Sequence, residues 1–81
     1  MSGAEMTAVR AAASRVLGVP EEEILPSSRC VEDLGADSLD LLHIVMLLEE
    51  EFRVPVKAAQ LKSLSTVREA AAYLLQIETE R

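Results

Sequence analysis

Three residues stand out among those whose types could do covalent chemistry: Ser38, the single cysteine Cys30 and the single histidine His43. Ser38 sits between Asp37 and Leu39, after a stretch holding Pro20, Pro26 and Gly35 and before a long apolar run. An enzymatic serine nucleophile needs a neighbouring base and a third group that orients it. On a helical wheel His43 lies about 140° round from Ser38, so it is poorly placed as that base. No Gly-x-Ser-x-Gly elbow surrounds the serine either. What the position offers is exposure, a mobile preceding loop and a helix N-terminus whose amides favour a phosphoester. The plain alternative is a serine that caps its helix. Cys30 excludes an intrachain disulfide and a cysteine-based metal site, and is either a small buried hydrophobe or an exposed loop thiol. His43 has no second His or Cys nearby and reads as an exposed helix residue, so no metal is expected.

The elements that must position Ser38 follow from the apolar spacing. Met6, Val9, Ala13, Val16 and Leu17 recur at three and four residues, predicting a helix over Ala4–Leu17 stopped by Gly18 and Pro20. From Gly18 to Asp37 no period is sustained. A connection that long is functional or holds a short turn, here placed at Glu21–Leu25, with Ile24, Val31 and Leu34 as core anchors. A second helix runs from Ser38 to about Glu51, with Asp37 as N-cap and Asp40 near the positive end of the dipole. Pro55 breaks the pattern, residues 57–62 suit a short helix, and Thr66 with Glu69 forms a capping box for the last one. Val67, Ala70, Ala71, Leu74 and Ile77 make its inner face. Tyr73 is expected at the core edge with its hydroxyl in water. The result is an all-α chain of three principal helices, one short helix and a long first loop.

Eighty-one residues amount to a single domain, 1–81, with a thin core and no room for a deep catalytic cleft. The apolar share of 49% excludes simple disorder, and an aromatic share of 2% leaves the core to aliphatic residues and alanine. The net charge of −6 argues against a phosphate backbone as partner and for basic proteins. No N-terminal apolar core suits a signal peptide and no stretch could span a membrane, so the cytoplasm is the expected address.

The second helix is more apolar than a surface helix needs to be. Leu41, Ile44, Val45, Leu48 and Phe52 supply a core stripe, yet Leu39, Leu42 and Met46 form another beside Ser38. Either neighbouring helices cover it, or it is a docking patch. Between residues 32 and 51 stand seven acids and no Lys or Arg, while the remainder holds eight basic and seven acidic residues, a balance of +1. Glu49, Glu50 and Glu51 lie at the helix end where the dipole disfavours anions. Attraction to a basic partner accounts for them where helix stability does not.

The run Val31-Glu32-Asp33-Leu34-Gly35-Ala36-Asp37-Ser38-Leu39-Asp40, continued by Ile44-Val45-Met46 and Leu48-Glu49-Glu50-Glu51-Phe52, resembles an acyl carrier protein. Leu17 to Ile24 and Thr66-Val67 extend the likeness, which is weaker before Leu17 and between Arg53 and Leu64. The resemblance implies a four-helix bundle and no enzyme activity of its own. It implies a 4′-phosphopantetheine arm on Ser38, taken from coenzyme A by a phosphopantetheinyl transferase, with acyl groups held as thioesters on the arm. By matching position, Asp37, Leu39, Asp40, Leu42, Met46, Glu49 and Glu50 would dock a monomeric carrier on basic patches of acyl-transferring and chain-elongating enzymes. Bundles of this family shelter the acyl chain, so the alanines of the first helix and of Ala70–Ala72 either line such a space or permit close packing.

Two departures bear on the pathway. Fatty-acid carriers usually have an acid where His43 stands, and the region 54–62, with Lys57 and Lys62, is less negative than usual. These point from housekeeping fatty acid synthesis toward a dedicated polyketide or specialised-lipid carrier. Two other readings stay open: an aminoacyl or peptidyl carrier, whose relatives are usually less acidic at the serine, and an unmodified helical adaptor.

Overall fold

A computed structural model of the protein describes residues 3–63 and 66–80. These residues are helical: α1 Ala4–Leu17, a 3₁₀ turn Glu21–Glu23, α2 Ser38–Phe52, α3 Ala58–Ser63 and α4 Val67–Thr79. The one extended pairing among them is an isolated bridge between Arg29 and Thr66. None of the described helices is long and apolar enough to cross a membrane.

The ends of the helices are where sequence chemistry places them. Gly18 closes α1 at φ 71°, a left-handed conformation that costs glycine little. Thr66 accepts from the Glu69 amide at 3.2 Å, and the Glu69 carboxylate accepts the Thr66 amide at 3.0 Å. The first turn of α4 is thereby closed from both sides. Arg53 ends α2 at φ 56°, a non-glycine residue in the region that favours glycine, with its amide donating to the Glu49 carbonyl at 2.8 Å.

The core is one cluster in which Val9, Ile24, Ile44, Leu48, Val67 and Leu74 are the most buried large side chains. In α2 the expected stripe holds, though Phe52 reaches only half-burial. In α1 the buried face is turned from the expected one. Val9 and Ala13 are inside, joined by Glu5, Ala8 and Ala12, while Met6, Val16 and Leu17 are half-buried. The reason is that α1 packs against both α2 and α4, and alanines on that wider face let the backbones approach. Ala70 and Ala71 are buried likewise, whereas Ala72 faces out. Close packing is therefore one use of the alanines, and a groove of ≈ 460 Å³ between α1 and α4, lined by Met6, Ala71, Ala72 and Leu75, is another.

At the far end of that groove, Glu5 from the first turn of α1 hydrogen-bonds Glu78 from the last turn of α4. Glu78 Oε2 is shut from solvent and has no partner among the described residues. The bond to Glu5, then burial, then the charge of Glu5 raise the Glu78 carboxyl above its ordinary value. A group whose pKa is raised by folding stabilises the fold below its unfolded value, near 4.3. That contribution is lost as the pH climbs through the folded value. Glu78→Gln, which keeps a hydrogen bond without the charge, is expected to raise the melting temperature at pH 7 by about 2–5 °C and to lessen the gain on acidification. Equal melting temperatures for the two proteins at pH 7 would remove the carboxyl pair as a source of strain.

Candidate functional site

The start of α2 is fixed by a reciprocal cap. Asp37, in extended conformation, accepts the Asp40 amide on Oδ1 at 2.8 Å, and Asp40 Oδ2 accepts the Asp37 amide at 3.2 Å. Asp37 thus does the capping, and Ser38, the first residue of the helix, does not. Ser38 is exposed and its hydroxyl makes no hydrogen bond among the described residues. The role in which a serine usually begins a helix is already taken, which frees this oxygen for chemistry with an incoming group.

The approach to Ser38 is hydrogen-bonded along its length, to α1, to α4 and to itself. Arg10 of α1 donates from Nε to the Ile24 carbonyl at 3.0 Å and from Nη2 to the Glu21 carbonyl at 2.8 Å. Ser28, itself buried, accepts the Leu25 amide on its hydroxyl at 2.8 Å. The carbonyls of Pro26 and Ser28 accept the Arg68 and Val67 amides, both at 2.9 Å. The first amides of α4, which no helix can satisfy internally, are thus satisfied by the loop.

Residues 29–36 then close on themselves. The Asp33 carboxylate accepts the Arg29 amide at 2.9 Å, Gly35 donates to Val31 at 3.1 Å, and Ala36 donates to Cys30 at 2.9 Å. Gly35 sits at φ 76°, where a side chain would be strained. This turn corrects one expectation. Ile24 is an anchor at 1% exposure, and Leu34 is half-buried, but Val31 is 51% exposed. Its expected place inside is filled by Cys30 and Ala36, both buried. Burial also decides between the two readings of Cys30: the thiol is pushed up from its ordinary value and is a packed hydrophobe.

Beyond Ser38 the second apolar stripe lies open. Leu39, Leu42 and Met46 are 60%, 44% and 55% exposed, so no neighbouring helix covers them. His43 is exposed on the same side, and no group of acids, His or Cys suited to a metal occurs among the described residues.

The acids around this stripe are less idle than their sequence suggests. Glu32 pairs with Arg29 at 2.7 Å, Asp33 closes the loop turn, and Asp37 and Asp40 cap α2. Glu49 Oε2 accepts the Val56 amide at 3.0 Å and holds the link from α2 to α3. Helix-end anions therefore have a structural use at Glu49, while Glu50 and Glu51 point outward. Tyr73 packs at the core edge as expected, and its exposed hydroxyl also accepts the Lys57 amide at 3.3 Å, bracing the same link. Arg10 and Tyr73 had no local sequence signal, because their partners are backbone groups 11 to 16 residues away.

The arrangement is an exposed hydroxyl without a hydrogen bond among the described residues, at a reciprocally capped helix start, beside open apolar side chains and outward acids. It is built to be acted upon by another protein. Residues 7–74 match a family model described as a phosphopantetheine attachment site.

Proposed function

From the premise that the chain belongs to the phosphopantetheine-attachment family, and is thus a phosphopantetheine-bearing carrier, we propose that Ser38 is the attachment residue and that the cargo is an acyl group. The observation that carries this reading is the free Ser38 hydroxyl, released from capping by Asp37 and exposed at the start of α2. The residues present fit the group: its phosphate would sit in solvent at a helix N-terminus, where backbone amides favour an anion. When bound, the arm supplies a terminal thiol that carries cargo as a thioester. The chain supplies position and recognition.

Asp37, Leu39, Asp40, Leu42, Met46, Glu49 and Glu50 are read as the docking set for enzymes with basic patches. Leu39, Leu42 and Met46 provide apolar contact, and Glu50 provides the most outward charge. Asp37, Asp40 and Glu49 each commit one oxygen to the fold and keep the other for a partner. The acidity around the serine and the apolar groove between α1 and α4 favour acyl over aminoacyl cargo. Fatty acid, polyketide and specialised-lipid synthesis are the pathways this serves, and the helices are read as a four-helix bundle forming one domain.

The test is an intact mass after incubation with coenzyme A, magnesium and a broad phosphopantetheinyl transferase. One phosphopantetheinyl addition per chain is expected. A wild-type mass left unchanged by an enzyme that loads a control carrier would sink the assignment, and acceptance of amino acids but not acyl groups would move it to the aminoacyl class.

A further inference from the structure

The groove between α1 and α4 stands apart from the site at Ser38, since none of the described residues of α2 or α3 lines it. Its ≈ 460 Å³ fall within the range of cavities that hold small molecules. On α4, Arg68, Ala71, Ala72 and Leu75 follow one another at helical spacing and share one face. The alanines leave a hollow between the longer side chains, and half-buried Met6 of α1 walls it from across. An apolar trough therefore starts at the exposed Arg68 and runs down α4 to Thr79, about 16 Å at 1.5 Å per residue.

Most polar side chains along the trough are already engaged. Glu5 hydrogen-bonds Glu78, Gln76 donates to the Glu80 carboxylate at 3.2 Å, and the Thr79 hydroxyl donates to the Gln76 carbonyl at 2.9 Å. The Arg68 guanidinium has no hydrogen bond or ion pair among the described residues. Helix stability does not explain an arginine there, because it is the second residue of α4, where the dipole disfavours a cation. In a chain of net charge −6, the groove thus keeps a cation in reserve. A ligand that uses both features has an apolar chain for the trough and an anionic head for the guanidinium. A carboxylate suits that planar group bidentately.

We propose that the α1–α4 groove binds a free medium-chain fatty carboxylate, its head on Arg68 and its tail along Ala71, Ala72 and Leu75. The occupant is a separate molecule and not cargo on the arm, since a fatty acyl thioester has no anionic oxygen to give Arg68. The site therefore needs no arm and goes beyond the carrier reading. It is tested on the unmodified chain, and its failure would leave that reading standing.

The test titrates the unmodified chain with decanoate, below the concentration at which it forms micelles, and follows backbone amide shifts by NMR, with melting curves for each variant. Saturable shifts centred on Met6, Arg68 and Ala72 are expected. Decanol, which has the same chain without the charge, is expected to bind about tenfold more weakly. Arg68→Gln is expected to bring decanoate down to the affinity of decanol, with Arg68→Lys in between. Ala72→Trp, which fills the trough from an exposed position, is expected to weaken both ligands about tenfold or more. Equal affinities of wild type for decanoate and decanol would overturn the proposal, as would no saturable binding at all. Tighter binding of decylammonium would overturn it by placing the head at Glu5 instead. Decanoate binding unmoved by Arg68→Gln, or by a folded Ala72→Trp, would count equally against it. Should Ala72→Trp not fold, the Arg68→Gln comparison decides.

Discussion

Ser38→Ala is expected to abolish arm attachment completely while leaving the fold as it was. The hydroxyl makes no hydrogen bond within the described chain, the cap of α2 belongs to Asp37 and Asp40, and alanine is a good residue for a first helical turn. A surface change of this kind moves stability by no more than about 0.5 kcal/mol. The mass of the variant should therefore stay that of the bare chain under conditions that load wild type fully, with superimposable melting curves. Nearby hydroxyls are poor substitutes. Ser28 is buried with its oxygen accepting the Leu25 amide, so a loaded Ser38→Ala chain would mean that the modified hydroxyl lies elsewhere on the surface.

The largest stability effect is expected from Ile24→Ala. Ile24 is 1% exposed and is the deepest side chain the long loop contributes, and its carbonyl receives Arg10. Truncating a buried isoleucine costs about 2–5 kcal/mol through lost transfer energy and the cavity left behind. In a domain of this size that lowers the melting temperature by about 10–25 °C. Val31→Ala, in the same loop but 51% exposed, should shift it by no more than a few degrees. A thermal melt followed by circular dichroism separates the two. Equal shifts from both substitutions would contradict the picture of a loop pinned through Ile24.

Much of this was legible in the residue order. Period and punctuation located α1, the Asp37 N-cap, the Thr66–Glu69 capping box and the open stripe of Leu39, Leu42 and Met46, because helix ends and apolar spacing are local properties. The serine motif was legible for a different reason, its likeness to a known family. What the sequence hid was tertiary. Val31 and Cys30 are adjacent and both apolar, and only the turn that joins Gly35 to Val31 decides which of them points inward. Glu49 looked like one of three equivalent surface acids until the backbone of Val56 came within reach. The rotated inner face of α1 likewise reflects two packing partners at once, which one helix's spacing does not encode.

The stitching of Pro26 and Ser28 onto the leading amides of α4 couples the two ends of the molecule. Detaching the final helix would free both carbonyls and release the segment that leads to Ser38, so the setting of that hydroxyl depends on a helix far from it in the chain.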